Sequence, residues 1–151
     1  MTYKKKLNRE EMKGYYLLIM KFILWDMALY HLLLGFVGLI YNTELEEISS
    51  LIFNLSLKIT PETLWLIKPL AAYVFVFGIM MAIAAYDPMK FRPIIYAGLA
   101  ILLIRFVQYI DFIFNASNSA ASNPFQPIAL MLVVIFTGFV FLFLLNKIRP
   151  E

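Results

Sequence analysis

The chain has no cysteine and a single histidine, and only 15% of its 151 residues are charged. Without cysteine the protein has no disulfide, thiolate metal site, iron–sulfur cluster or thiol nucleophile. The sequence also lacks a phosphate-binding loop, a nucleophile elbow, a zincin motif and a carboxylate dyad. These absences predict a protein that is not an enzyme, has no metal site and requires no cofactor.

Most of the chain is apolar. Hydrophobic residues make up 62% of it and its mean hydropathy is +0.79, whereas a soluble domain is nearer to half apolar. The excess lies in four long blocks separated by short polar stretches, which predicts an all-α integral membrane four-helix bundle forming one domain over residues 1–151. The predicted spans are residues 15–41, 62–86, 93–114 and 127–145.

A polar stretch at residues 42–60 separates the first two spans. Apolar residues recur in it at helical spacing, with acidic and amide residues between them. This pattern predicts a short amphipathic helix on the membrane surface or over the bundle. At its end, Thr60 can cap the second span, Pro61 suits the first helical position, and Glu62 favours the positive end of the helix dipole.

The positive charges indicate the orientation. Nine of the thirteen lysine and arginine residues fall in the N-terminal tail, the turn at residues 87–93 or the C-terminal tail. Such an excess is typical of cytoplasmic segments, so we expect a bacterial inner-membrane protein with both termini in the cytoplasm. The first apolar run is too long for a signal peptide and has no cleavage site after it, so we expect a retained helix. No basic stripe is interleaved with aromatic residues, which excludes nucleic acid as a partner.

Five polar residues within the predicted spans are candidates for a functional role, because polar groups are costly in lipid. They are Asp26 and His31 in the first span and Arg105, Gln108 and Asp111 in the third. At 1.5 Å per residue, Asp26 and Arg105 lie about 16 and 18 Å above the inner surface, and this match predicts that Arg105 lies inside the protein and meets Asp26 or another polar group. The five residues are either ties inside the bundle or a binding site for the head group of a lipid, quinone or other amphiphile. A proton or ion path is a third alternative.

Small residues form two stripes at helical spacing, and such stripes let helices approach closely in lipid. The stripes are Ala28, Gly35 and Gly38 beside His31 in the first span, and Ala71, Gly78, Ala82 and Ala85 in the second. Each is either a packing face within the bundle or a contact with a partner. Small neighbours around His31 also leave room for a flat tetrapyrrole with the imidazole as an axial ligand, although plain packing explains the same pattern.

The turn Tyr86-Asp87-Pro88-Met89-Lys90-Phe91-Arg92-Pro93 and the intramembrane Arg105 complete the pattern. With its short tails and the amphipathic stretch after the first helix, the chain resembles the small four-helix bacterial membrane proteins of the DoxX-like type. The resemblance covers most of the chain as architecture. It implies a redox or respiratory accessory role and transfers no functional residue.

Asp26 and His31 are five residues apart, so they point about 140° apart around the first helix. One of them therefore faces a neighbour outside the four-helix bundle. Together with the small extramembrane parts, this predicts a non-catalytic accessory subunit of a membrane complex, of an electron-transport or photosynthetic kind, with other membrane subunits as partners. The alternative is a stand-alone protein that binds or transports a small amphiphile. A bound lipid, quinone or pigment fits either function.

Overall fold

The computed structural model describes residues 3–41, 47, 60–115 and 125–148, and every regular element within them is helical. Four of these helices are long and apolar enough to cross a membrane, as in a multi-pass membrane protein. The predicted all-helical four-span fold is thereby confirmed. The helices are α1 (Tyr3–Ile40), α2 (Pro61–Tyr86), α3 (Arg92–Asn115) and α4 (Phe125–Lys147).

The largest difference from the sequence prediction is the start of α1. The helix begins at Tyr3, twelve residues before the predicted span at residue 15. The added segment contains lysine, leucine, arginine, glutamate and methionine, which are good helix formers, and no proline. It therefore continues the helix although it is polar. The predicted amphipathic helix over residues 42–60 lies outside the described residues, apart from the helical Glu47 and the cap residue Thr60.

The start of α2 is fixed by a capping box between two threonines. The Thr63 backbone N–H donates to Thr60 Oγ1 at 3.3 Å, and the Thr60 N–H donates to Thr63 Oγ1 at 2.7 Å. Pro61 occupies the first helical turn, where its missing N–H leaves no hydrogen bond unmade. The predicted N-cap at Thr60 is confirmed. Its partner Thr63 was not predicted from the sequence.

The two predicted stripes of small residues pack on each other and join α1 to α2. A Cβ atom added at Gly35 would lie 2.5 Å from the backbone nitrogen of Phe75, and one added at Gly38 would lie 2.7 Å from Ala71 Cβ. Gly78 is as tightly placed, since its Cβ would lie 2.8 Å from the Leu32 nitrogen. The helices therefore meet backbone to backbone, which requires glycine at the contact.

The bundle consists of two helix pairs, α1 with α2 and α3 with α4, which meet most closely at one end. We call this end, nearest the turn at residues 87–91 and the C-terminus of α4, the termini half; the opposite end is the loop half. The core lies in the termini half and reaches the middle of α1. Its buried side chains are Met20, Leu24, Ala28, Met81, Ala84, Ala85, Ile95, Phe141, Leu144, Leu145 and Ile148.

Polar contacts close the termini half. Asp87 Oδ1 accepts hydrogen bonds from the backbone N–H groups of Met89 and Lys90, both at 3.1 Å, which forms the predicted tight turn. Arg92 then donates from Nη2 to the carbonyl oxygen of Ile148 at 3.1 Å. The start of α3 is thus tied to the end of α4, where backbone carbonyls lack helical partners.

At the loop half, Lys68 ties α2 to the end of α1. Its Nζ donates to the carbonyl oxygens of Leu39 at 2.6 Å and Tyr41 at 3.4 Å. A cation at a helix C-terminus is favoured by the helix dipole as well as by these hydrogen bonds.

Candidate functional site

In the loop half, α3 and α4 are less tightly packed than in the termini half. On α3 the last buried residue is Gly98, and on α4 the first buried residue is Phe141. Among the side chains that the structure describes, none is buried from residue 99 to 114 or from 128 to 140. The outer stretches of α3 and α4 are therefore less closely packed than their inner ends, and we refer to the region between them and the α1–α2 pair as the cleft.

Arg105 faces this cleft. Gly98 marks the face of α3 that contacts α2, because a Cβ there would lie 2.9 Å from Met81 Cε and 3.8 Å from Phe77 Cζ. Arg105 is seven residues and Tyr109 eleven residues further along, so both point within about 20° of Gly98. Arg105 is nevertheless exposed and Tyr109 half-buried.

Across the cleft, aromatic side chains hold His31 in a fixed position. Its Nδ1 lies 2.7 Å from the carbonyl oxygen of Met27, and because a carbonyl only accepts, Nδ1 is the donor. The imidazole makes edge-on contacts with Tyr30, at 5.1 Å between ring centroids, and with Phe77, at 4.8 Å. Phe77 therefore touches His31 on one side and approaches Gly98 on the other, which links the two walls of the cleft.

The charge of Arg105 acts across the cleft. It lies within electrostatic range of both Tyr30 and His31, and Tyr109 lies within electrostatic range of Tyr30. We call Tyr30, His31, Phe77, Arg105 and Tyr109 the cleft cluster. It combines a guanidinium, two phenol hydroxyls, an imidazole and a phenyl ring, which together can bind a polar head group through hydrogen bonds and aromatic contact.

Arg105 is exposed instead of lying inside the protein, and Asp26 lies on the exposed face of α1, so the structure does not bring these two residues together. Asp26 is exposed and lies two residues from each of the buried Leu24 and Ala28, so it points about 160° away from both. Arg105 points toward α2. Depth along the membrane was the basis of the predicted pair, and depth alone does not determine which face of a helix a residue occupies.

Gln108 and Asp111 are both exposed on α3. Gln108 lies about 60° from Arg105 around the helix, at the edge of the cleft, whereas Asp111 lies about 120° from it. The structure thus brings His31 and Arg105 together, places Gln108 beside them, and leaves Asp26 and Asp111 on other faces.

The space that a tetrapyrrole would need beside His31 is filled. Gly35 and Gly38, whose small size suggested that space, are in contact with Phe75 and Ala71 of α2. A flat macrocycle on this face would have to separate the two helices. Among the described residues, no group of three or more histidine and acidic side chains is placed to hold a metal ion.

A second concave surface is an apolar groove of about 530 Å³ between α3 and α4. Leu99 and Phe106 line it from α3, and Val134 and Gly138 line it from α4. A Cβ added at Gly138 would have no neighbour within 4 Å. The groove offers apolar contact without a polar anchor, so it does not define a ligand.

The roles of Tyr30, Phe77 and Tyr109 were not predicted from the sequence. Aromatic residues make up 17% of the chain, so their presence in a span carries little information. The available signal was spacing, because Tyr30 adjoins His31 and Tyr109 lies one helical turn after Arg105.

No family model, no curated protein and no solved structure is significantly similar to this chain. The resemblance to the DoxX-like group therefore stays a prediction.

Proposed function

We propose that this protein binds a membrane amphiphile and holds its polar head group in the cleft cluster. The observation that carries the proposal is the position of Arg105, exposed on the face of α3 that contacts α2, in the half of the bundle where none of the described side chains of α3 and α4 is buried. A guanidinium inside a membrane span costs about 2.5–3.5 kcal/mol on insertion scales. A ligand that accepts its hydrogen bonds offsets that cost.

The chemistry of the cluster favours binding over catalysis. The phenol hydroxyls and the guanidinium donate hydrogen bonds, and the aromatic rings flank the position that a head group would occupy. A proton path is less favoured, because it needs a chain of ionisable groups, and Asp26 lies on another face.

The test is to purify the protein in mild detergent and to identify retained lipids and quinones by mass spectrometry. We expect the wild-type protein to retain one class of amphiphile stoichiometrically and Arg105→Gln to lose it. Lys90→Gln, which removes an exposed cation from the turn, is the matched control and should retain the ligand. Equal retention by Arg105→Gln would contradict the proposal.

A second function is favoured by Asp26, namely that of a non-catalytic accessory subunit of a larger membrane complex. The carboxylate faces away from the bundle beside the exposed Phe22 and Trp25, so a donor on a neighbouring membrane helix would satisfy it. The stripes of small residues no longer support this function, since they pack on each other. The DoxX-like resemblance makes electron-transport complexes the first place to look for a partner.

Mild purification also tests the subunit function. Proteins that co-purify stoichiometrically with the wild type and are lost from Asp26→Leu would support it. A wild-type monomer or homo-oligomer without other chains would exclude it, whatever amphiphile is bound.

Both functions share one proposed orientation, with the termini half toward the cytoplasm. The basic residues at the turn and at the two ends support it. Reporter fusions after Asp87 and after Ser119 should report the cytoplasm and the opposite side, respectively. The reverse result would invert the orientation and leave the cleft cluster unchanged.

A further inference from the structure

Asp26 lies near the middle of the first membrane span, on the exposed face of α1. The span covers Glu10–Ile40, so Asp26 is sixteen residues from one end and fourteen from the other. At 1.5 Å per residue these distances are about 24 and 21 Å. The side chain is exposed and points away from the buried Leu24 and Ala28. A carboxylate in this position meets lipid, where it is costly unless another group pairs with it.

The helix that carries Asp26 does not neutralise it. The side chains one turn to either side, at the spacing that lets residues of a helix meet, are Phe22, Ile23, Leu29 and Tyr30. Lys21 is the nearest cation along α1, but it points about 140° away from Asp26. Phe22 and Tyr30, four residues before and after Asp26, are 76% and 49% exposed. Because the faces of aromatic rings attract cations, the carboxylate and the two rings together favour a positively charged group over a neutral donor.

Exposed apolar side chains around Asp26 form a ridge along α1 that fits a neighbouring helix. Its members follow one another at spacings of three, four, three and four residues, which is typical of a left-handed helix pair. They are Tyr15, Leu18, Phe22, Trp25 and Leu29, each between 47% and 76% exposed. We call these five side chains the α1 ridge. Apolar contact alone gives little association in lipid, so the affinity of this surface depends on Asp26.

A second copy of this chain is a poor occupant of the α1 ridge. A two-fold contact places the same surface of both copies together, so the two Asp26 carboxylates would meet at the same depth and repel each other. Arg105 lies at a similar depth, but it points toward α2 within the bundle, on the face of α3 that Gly98 marks. Charge complementarity therefore favours a different chain.

Resting on the accessory-subunit function, we propose that the α1 ridge binds a transmembrane helix of another protein that carries a lysine or arginine at the depth of Asp26. The cation pairs with the carboxylate and contacts the rings of Phe22 and Tyr30. Apolar side chains of the partner helix lie between those of the ridge. Asp26 supplies the affinity, and the ridge sets the direction in which the partner helix runs.

The experiment measures the binding of synthetic helices to the full chain in phospholipid bicelles by energy transfer. The chain has no cysteine, so a dye on Lys90→Cys in the exposed turn labels one position only. The probes are polyleucine helices of about 23 residues, with lysine at the centre, with lysine two turns from the centre, or with leucine throughout. We expect the helix with the central lysine to bind about 3- to 30-fold more tightly than the other two, as one polar contact between membrane helices would produce.

Three variants show whether Asp26 is the cause of that preference. Asp26→Asn, which keeps the shape and removes the charge, should bind the three helices equally. Asp26→Glu should keep the preference for the central lysine. Glu11→Gln is the matched control, because it removes an exposed carboxylate of α1 far from the middle of the span, and it should keep the preference. The thermal unfolding midpoint should be the same for all of them, because both acidic side chains are exposed.

The outcomes separate this inference from the subunit function. If the wild type binds the leucine helix as tightly as the helix with the central lysine, or binds none of the three, the cationic partner is overturned. Co-purification then decides independently whether the subunit function stands. If the wild type self-associates without any peptide and Asp26→Asn does not, a second copy occupies the α1 ridge and the assignment to another protein is overturned.

Discussion

In the termini half, Met81, Ala84 and Ile95 are at most 1% exposed. In the loop half, by contrast, Arg105 is exposed on the cleft face of α3. The two halves share the same four helices and similar apolar composition. They differ in the size of the facing residues, because Gly98 leaves room for Met81 and Phe77, whereas Arg105 and Tyr109 occupy the same face two and three turns further along α3. A bulky polar side chain on a packing face keeps the helices apart and leaves space for a ligand.

The helix pairs show the same contrast. The α1–α2 pair is held at backbone distance by Gly35, Gly38 and Gly78, while α3 and α4 leave a groove around Gly138. Glycine therefore has a different structural role in each of the two helix pairs. In α1 and α2 it permits close contact, and in α4 it lines open space.

The largest expected effect comes from adding one methyl group at each kind of glycine. Gly35→Ala should destabilise the protein by about 1–3 kcal/mol, because its Cβ would meet the Phe75 backbone, which cannot move independently of α2. Gly138→Ala should stabilise it by about 0.5–1 kcal/mol, because alanine is the better helix former and the space is free. Thermal unfolding in detergent measures both, and shifts of the same sign would contradict the account of the two pairs.

The next largest effect tests the closure of the termini half. Arg92→Ala removes the hydrogen bond from the guanidinium to the Ile148 carbonyl and should cost about 1.5–3 kcal/mol. Lys90→Ala, two residues earlier in the exposed turn, should change stability by less than about 0.5 kcal/mol. Chemical denaturation in mixed micelles compares the two variants. Equal effects would show that the link between α3 and α4 does not hold this end together.

The smallest effect concerns the loop half. Lys68→Ala should cost about 0.5 kcal/mol, since it removes the cation that caps the end of α1. Lys68→Arg is the control and should restore most of the stability, because it keeps both charge and donors. Amide exchange at the last turn of α1 should rise in the alanine variant alone. A large global loss instead would mean that the loop half is as cooperative as the termini half.

Much of the fold follows from the sequence, and the reasons are physical. Four apolar blocks of membrane-spanning length predict helices, because a helix makes all of its backbone hydrogen bonds within one segment in lipid. Thr60-Pro61 is a strong local signal for the start of α2. The extension of α1 to Tyr3 was missed because the hydropathy pattern ends at Tyr15 while helix propensity continues. Helix propensity and hydropathy predict different helix boundaries wherever a helix extends beyond the membrane.

The site was only partly predictable. His31 and Arg105 stand out because polar groups in a span are rare, and the structure brings them near enough for the charge of Arg105 to act on the imidazole. The pairing with Asp26 failed because helix rotation, set by the buried Leu24 and Ala28, overrides equal depth. Phe77 gave no signal above the aromatic background, because its position depends on which helix packs at Gly98, and Tyr109 was indicated only by its spacing from Arg105.

The central claim is that the cleft, and not another apolar surface, holds a lipid head group. Photo-crosslinking with a phospholipid that carries a reactive group on its head, followed by peptide mapping, tests it most directly. We predict that crosslinks concentrate on the α1 segment containing Tyr30 and the α3 segment containing Tyr109, and that Arg105→Gln abolishes them while Lys90→Gln does not. Crosslinks spread evenly over exposed residues such as Phe22 and Phe139, or concentrated in the α3–α4 groove, would contradict the claim.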